Sequence, residues 1–351
     1  MTTANDLAAP VAPNWDEHAR RSDRWRPDPF VLSQLLATNA ALAERPVPEE
    51  LCRPRPDGVP MLLVCGTPRS GTTMMLQLLA NAFRLTYPDN IAARMWGAPH
   101  FGIAASRSMR DQVGAGSVGY ESVAGISKDI FGPHDFAYFW ERFFPFGENA
   151  FLTDEAMRRA DTGRLLDELA AMWTVGGRAP LLFRGIIFTI NADFFATLFS
   201  RALFIDMRRD PCDLALSMLK IRRERYGSEQ VWWGSSPPER TALEGRRPEV
   251  QVAGQIHHLR RRIDAGLAKV APERVVHLNY ENACRDLPAT LNTIAAAAAA
   301  LGIELEAQPD RPIPPSFEPR RPDRSDPRWI DLSRLFAAYQ SCPETACIDP
   351  D

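Results

Sequence analysis

The chain has 351 residues, of which 45% are hydrophobic and 24% are charged. These proportions are those of an ordinary globular protein, and they exclude a disordered, collagen-like or coiled-coil chain. The length allows two average domains or one large α/β domain with extensions. The formal net charge of -3 gives no electrostatic reason to expect a nucleic-acid partner. We also find no apolar run long enough to span a bilayer.

The amino terminus lacks the basic segment followed by an apolar segment that marks a secreted protein. The six cysteines are scattered and show no zinc-ligand spacing. These features predict a cytoplasmic protein with reduced thiols. Lysine is rare, since only Lys128, Lys220 and Lys269 occur among the 41 basic residues.

Residues 1–57 are predicted to form an N-terminal extension with a helix at 30–42. A proline-rich linker leads to residues 61–65, a short apolar run typical of a buried parallel strand. Similar runs follow at 180–183, 202–205 and 274–278. Helical patterns separate or follow these runs at 74–83, 162–173, 213–225, 250–270 and 287–301.

Strands that alternate with helices predict a single three-layer α/β domain with a central parallel sheet covered on both faces. We assign this domain to residues 58–305, after a helical N-terminal extension. Residues 306–351 begin with a stretch rich in proline, which predicts an irregular C-terminal tail.

A glycine loop, Gly-Thr-Pro-Arg-Ser-Gly-Thr-Thr at 66–73, lies between the first strand and the following helix. In this context the backbone N–H groups and the helix N-terminus can hold a phosphate. Gly66 and Gly71 fit the first half of a Walker A loop, but Thr72 stands where that motif requires lysine. The positive charge is at Arg69, whose guanidinium can bind an anion through two hydrogen bonds. The alternative is a tight turn in which threonines cap the helix.

A second motif, Arg-Asp-Pro-Cys-Asp-Leu-Ala-Leu-Ser at 209–217, runs from a strand end into a helix. Arg209 and Ser217 are eight residues apart, so both can face an anion at the carboxyl edge of the sheet. One alternative is a surface Arg-Asp pair beside a capped helix. Another is a kinase-like site in which Asp206 holds magnesium, although such a site would lack the loop lysine.

The two motifs resemble those of the sulfotransferases that use 3′-phosphoadenosine 5′-phosphosulfate (PAPS). In that family, lysine or arginine precedes Ser-Gly-Thr-Thr in the 5′-phosphosulfate loop, and an arginine and a serine bind the 3′-phosphate. The resemblance runs from about residue 60 to 302 and implies a P-loop-like sulfotransferase fold. The implied PAPS-binding residues are Thr67, Pro68, Arg69, Ser70, Gly71, Thr72, Thr73, Arg209 and Ser217.

The same resemblance implies roles for two further regions. Tyr280, in Asn-Tyr-Glu-Asn where relatives have Tyr-Glu-Asp, is implied to lie near the adenine, although an ordinary buried tyrosine is the alternative. The tail at 306–351 is implied to pack on or near the cofactor site, where Arg320, Arg321 and Arg324 would close over the 3′-phosphate. The alternative for these arginines is a solvated run of charge.

Sulfuryl transfer needs cations for the leaving phosphate and a general base for the acceptor proton, but no metal. Arg69 is one such cation, and Arg184 stands where many relatives have lysine. Some relatives carry a histidine two residues after that lysine, and this chain does not. His134 is the first candidate base, because imidazole titrates near neutrality and relatives carry their acceptor pocket in this segment. Asp135 and Glu141 are the alternatives.

These features predict a cytoplasmic, metal-independent transferase that moves the sulfuryl group of PAPS to a hydroxyl or amine. The expected acceptor is a small molecule or a sugar, and PAP is released by in-line displacement. A kinase-like, ATP-dependent phosphotransferase and a non-catalytic nucleotide-binding module remain as alternatives. We expect no nucleic-acid partner and no membrane span, and we leave a homodimer open.

Overall fold

The computed structural model describes residues 15–52, 58–144 and 151–341, so parts of both predicted extensions lie outside the described residues. The described residues form six strands: β1 Met61–Gly66, β2 Ser122–Val123, β3 Ile126–Ser127, β4 Leu181–Arg184, β5 Ala202–Arg208 and β6 Val275–Asn279. Four of them make one parallel sheet in the order β4-β1-β5-β6, and β2 and β3 pair as a separate antiparallel hairpin.

The helices surround this sheet. In chain order they are α1 Trp15–Ala19, α2 Pro29–Ala43, α3 Thr72–Ala82, α4 Pro99–Val113, α5 Ala137–Glu141, α6 Asp154–Arg159, α7 Thr162–Val175, α8 Ile186–Ile190, α9 Ala192–Leu198, α10 Pro211–Tyr226, α11 Arg240–Leu243, α12 Pro248–Leu267, α13 Tyr280–Arg285, α14 Leu287–Ala300 and α15 Arg328–Ser341. The predicted strands and helices all occur, with ends that differ by a few residues.

Both faces of the sheet are covered, as β1 shows most clearly. Leu62 and Val64 belong to an apolar cluster that includes side chains of α3 and α14. Leu63 and Cys65 point the other way, into a cluster that includes side chains of α7 and α12. Alternate residues of a strand face opposite sides of its sheet, so the continuous apolar run reflects burial on both faces. The predicted three-layer α/β fold is confirmed.

The parallel arrangement brings the carboxyl ends of four strands to one edge of the sheet. β1 ends in the glycine loop, β4 ends at Arg184, β5 leads to Arg209 and β6 leads to Tyr280. Ligands of open α/β sheets bind at this edge. The topology therefore gathers both sequence motifs and the predicted tyrosine on the same side of the domain.

The C-terminal tail is not irregular throughout, which corrects one part of the sequence-based prediction. Residues 328–341 form α15, which packs against α10 and α12. Leu332, Phe336 and Tyr339 recur at helical spacing and are buried in one apolar cluster. The helix starts directly after Pro327, where the proline-rich stretch ends. Beyond that residue, the apolar periodicity of the sequence favours a helix.

The N-terminal extension contributes the predicted helix as α2. Asp28 caps it by accepting a hydrogen bond from the Val31 N–H at 3.0 Å. Asn39, which is buried, ties it to the domain by donating to the Arg94 carbonyl and accepting from the Gly97 N–H. Within residues 15–52, 58–144 and 151–341, no helix has the length and apolar character needed to cross a membrane.

Candidate active site

A cavity of about 800 Å³ opens at the carboxyl edge of the sheet. Nine of the ten residues assigned to PAPS from the sequence line it. They are Thr67, Pro68, Arg69, Gly71, Thr72, Thr73, Arg209, Ser217 and Tyr280. The tenth, Ser70, is fully buried behind the loop surface. Residues from three distant parts of the sequence therefore meet around one space.

Three residues of the glycine loop, Gly66, Arg69 and Gly71, have a positive backbone φ. Gly71 has φ of 97°, and a Cβ added there would lie 2.3 Å from Cδ2 of Tyr280, so only glycine fits. Arg69 has φ of 72°, which costs a non-glycine residue roughly 1 kcal/mol or more. Its Nε donates to the Ser217 Oγ at 3.0 Å. The loop conformation thus aims this guanidinium across the cavity, toward α10.

Two buried polar atoms beside the loop have no hydrogen-bond partner among the described residues. They are Oγ of Ser70 and Nε of Arg209. The same arginine donates from Nη1 to the Arg69 carbonyl at 2.9 Å, and its guanidinium lies 4.7 Å from the Tyr280 ring centre. An unsatisfied buried donor costs about 1–3 kcal/mol. Arg209 lines the cavity and can donate from its unpartnered Nε to a bound anion, so the residues present fit a phosphorylated ligand.

The C-terminal tail closes one side of this cavity. The Arg320 N–H donates to Tyr280 Oη at 3.1 Å, and its carbonyl accepts from Arg209. Arg320 and Arg321 both line the cavity. Arg324 does not, because it forms an ion pair with Asp213 at 3.1 Å. Two of the three tail arginines thus add positive charge where the sequence motifs meet.

Arg184 lies at the other side of the cavity, at the end of β4. It donates to Thr73 Oγ1 and to the Gly125 carbonyl, the latter at 3.0 Å, and it forms an ion pair with Asp135. Burial and the nearby Arg69 lower the pKa of Arg184 to about 10, so it stays protonated at neutral pH. It is therefore a fixed cation beside the first turn of α3.

The three candidate bases occupy different places. The Asp135 side chain is 50% exposed and lines the main cavity. His134 lines a separate small cavity beside it, where its Nδ1 accepts from the Phe136 N–H at 2.9 Å. Burial, with help from Arg184 and Arg94, lowers the pKa of His134 to about 4. Glu141 lines neither cavity, and burial raises its pKa to about 7.

The alternative of a kinase-like magnesium site at Asp206 does not fit the geometry. This carboxylate is fully buried and accepts from Arg260 and Arg208, each at 2.8 Å, and it contacts His277 at 2.9 Å. It does not line the cavity. No group of three or more His, Cys, Asp or Glu side chains that could hold a metal ion occurs in the described part of the chain.

The sequence analysis missed the β2–β3 hairpin that covers the loop. Ala124 and Gly125 form its two-residue turn, with φ of 52° and 86°. The Gly125 carbonyl accepts from Thr73 Oγ1 at 3.0 Å as well as from Arg184. A two-residue turn ending in glycine was the available signal. Other cavity residues had no such signal: Lys220, Glu224, Gly234, Ser235 and Phe317.

Comparisons with known proteins agree with this geometry. The family model described as "Sulfotransferase family" matches residues 60–306. Sulfotransferase STF1 from Mycobacterium tuberculosis is 13% identical with a TM-score of 0.50, over 88% of this chain and 84% of that chain. Sulfotransferase STF9 from Mycobacterium avium is 14% identical with a TM-score of 0.49, over 98% of this chain and 91% of that chain. No curated protein matches the chain.

The family match spans well over half of the chain and includes both motifs, β1 to β6 and the residues that line the cavity, apart from those of the C-terminal tail. The likeness to STF1 supports the same fold. The chain belongs to the sulfotransferase family and is a transferase.

Proposed function

We propose that this cytoplasmic enzyme transfers the sulfuryl group of PAPS to a hydroxyl or amine of a small molecule. The observation that carries the proposal is the convergence of four arginines, Arg69, Arg209, Arg320 and Arg321, on one side of a single cavity. One of them, Arg209, has a buried Nε without a hydrogen-bond partner among the described residues. A single nucleotide with phosphates at two positions of its ribose satisfies this arrangement.

We call the nucleotide-binding side the donor half: the glycine loop at 66–73 with Arg209, Ser217 and Tyr280. PAPS supplies an activated sulfuryl group on a phosphate leaving group. The loop N–H groups, Arg69 and the positive end of α3 would hold the 5′-phosphosulfate. Arg209 and Ser217 would hold the 3′-phosphate. The rings of Tyr280 and Phe317, which line the same corner, suit an adenine.

The fixed cations stabilise charge and cannot move the proton, because arginine stays protonated in proteins. Arg69 and Arg184 would therefore stabilise the negative charge that develops on the leaving phosphate. We assign Asp135 as the general base that removes the proton of the acceptor, because its side chain lines the cavity beside Arg184. His134 and Glu141 are the rivals, and neither lines the cavity.

We call the remaining side of the cavity the acceptor half. Asp135 and Arg184 are its charged members at the glycine loop. Lys220 and Glu224 also line this side, but apolar side chains make up much of the rest, which favours an acceptor with a ring or another apolar body rather than a large sugar. These apolar side chains are Ala137, Ile186, Ile187, Leu216, Ile221 and Trp233. A ring-containing alcohol or phenol is the acceptor class that fits these surroundings.

Thermal denaturation with added ligands tests this proposal. We expect PAP and PAPS to raise the melting temperature, because a ligand that binds only the folded state stabilises it. ATP with magnesium should have a smaller effect. Stabilisation by ATP with magnesium alone would overturn the proposal in favour of a phosphotransferase. Stabilisation by PAP without turnover on any of a broad set of alcohols, phenols, amines and sugars would indicate a non-catalytic nucleotide-binding module.

A further inference from the structure

Arg222, in α10, is a fully buried arginine without a carboxylate partner in the described part of the chain. Its Nη1 donates to Gln251 Oε1 at 2.8 Å and to the Glu229 carbonyl at 3.2 Å, and its Nη2 donates to Gln255 Oε1 at 3.0 Å. A buried charge without a counterion is costly. Its presence therefore calls for a role beyond filling space.

Arg222 fixes the direction of the neighbouring amide. Because arginine can only donate, it holds the oxygen of the Gln255 amide and turns the amide nitrogen the other way. That nitrogen donates to the carbonyls of Trp233 and Ser235, at 2.9 and 2.8 Å. Gln255 is itself fully buried. Arg222 thus orients the amide of Gln255. That amide in turn holds the carbonyls of Trp233 and Ser235 in place.

Residues 233–235 form a wall of the acceptor half, and we refer to them as the wall. It stands beside the glycine loop, because a Cβ added to Gly234 would lie 3.6 Å from Cγ of Pro68. Gly234 has φ of 81°, a conformation that suits glycine. Trp233 presents the only aromatic ring of the wall. The wall therefore lies where an acceptor would approach the loop.

One helix connects the two halves of the site. α10 carries Ser217, which accepts from Arg69, and five residues later Arg222, which supports the wall. A helix is rigid over such a short distance, so the wall is held at a fixed distance from the donor half. An acceptor placed against the wall would meet the loop in a constant orientation.

We propose that Arg222 and Gln255 are positioning residues that hold the wall in place, and that Trp233 in this wall selects flat, ring-containing acceptors. The inference rests on the proposed sulfuryl transfer, since it assigns the wall to the acceptor of that reaction. Neither Arg222 nor Gln255 lines the cavity, so both act through the wall and not on the substrate.

The Gln255→Glu variant separates the two roles of this glutamine. A carboxylate still accepts from Arg222, and it gains an ion pair, but it cannot donate to the carbonyls of Trp233 and Ser235. With PAPS and 2-naphthol as probes, we expect KM for 2-naphthol to rise roughly tenfold from the loss of two hydrogen bonds. The kcat and the Kd of PAP should change less than about twofold, since a uniform binding loss raises KM alone.

The matched control is Gln251→Glu, which places the same charge on the other glutamine partner of Arg222. Gln251 donates to Gln230 and to the Arg246 carbonyl and makes no bond to the wall. Its KM for 2-naphthol should stay near that of the wild type. Amide hydrogen exchange over residues 233–236 provides a readout without turnover, and it should accelerate in Gln255→Glu but not in Gln251→Glu.

The outcomes distinguish this inference from the proposed function. Wild-type protein that neither binds PAP nor forms it from PAPS overturns the proposed function. Wild-type activity together with unchanged exchange and an unchanged KM in Gln255→Glu overturns the positioning role. If thermal denaturation shows that Gln255→Glu does not fold, Trp233→Ala replaces it. That variant must raise KM for 2-naphthol while the Kd of PAP is retained, and an unchanged KM contradicts the inference.

Discussion

The donor half and the acceptor half of the cavity are built in different ways. The donor half follows β1, β5 and β6 directly, so its residues lie in the loops and first helical turns after these strand ends. The acceptor half takes the β2–β3 hairpin and the wall from long connections between helices. Sheet topology fixes the first half, whereas side-chain contacts such as those of Gln255 fix the second. Substitutions in the two halves should therefore affect different steps.

The largest effect is expected in the acceptor half, at Asp135. Asp135→Asn keeps the size of the side chain but removes the base, so turnover of PAPS with 2-naphthol should fall by about 10²–10⁴-fold. The Kd of PAP should be little changed, and calorimetry measures it separately. His134→Asn and Glu141→Gln are the matched controls. A loss of turnover in one of these and not in Asp135→Asn would transfer the role of base to that residue.

The donor half should respond in binding rather than in chemistry. Arg69→Ala and Arg209→Ala should each weaken PAP binding by roughly 1.5–3 kcal/mol, because each loses a hydrogen bond to a charged group. Arg159→Ala is the control, since that side chain is 79% exposed and forms an ion pair with Glu155 on the same helix. Titration calorimetry measures all three. PAP affinity that is equal in Arg69→Ala, Arg209→Ala and the control would contradict the assigned donor half.

A smaller effect concerns how the donor half is packed. Gly71→Ala should lower the free energy of unfolding by about 2–4 kcal/mol, from left-handed strain and from overlap with Tyr280. Gly114→Ala is a matched control, because Gly114 has φ of 60° and nothing within 4 Å of an added Cβ. It should cost only about 1–2 kcal/mol. Urea denaturation measures both, and equal losses would show that Tyr280 does not constrain the loop.

The smallest expected effect is the response of the folded state to acid through His134, which lies in the small cavity beside the acceptor half. Burial lowers the pKa of His134 from 6.5 to about 4, so the unfolded chain binds more protons than the folded protein between these pH values. Stability should therefore fall as the pH drops through this window, by roughly 1 kcal/mol between pH 7 and pH 5 after discounting for solvent screening. Urea denaturation at both values should show a weaker decline in His134→Asn. An equal decline would contradict the burial of this ring.

The contrast between the donor half and the acceptor half also explains which features the sequence could predict. The continuous apolar run of β1 and the glycine loop after it report the sheet and its phosphate-binding edge, because local sequence dictates both. No local sequence pattern shows whether Asp135 or His134 faces the cavity. That choice depends on the φ of 58° at Phe136 and on the ion pair with Arg184, 49 positions away. Nor does any motif mark Gln255 as the support of Trp233.

The most direct measurement is a calorimetric titration of the protein with PAP and with 5′-AMP, which lacks the 3′-phosphate. If Arg209 and Ser217 bind the 3′-phosphate, PAP should bind at least about tenfold more tightly than 5′-AMP. The difference should largely disappear in Arg209→Ala. Equal affinities for the two nucleotides in the wild type, or tighter binding of ATP with magnesium than of PAP, would contradict the assignment of PAPS as the donor.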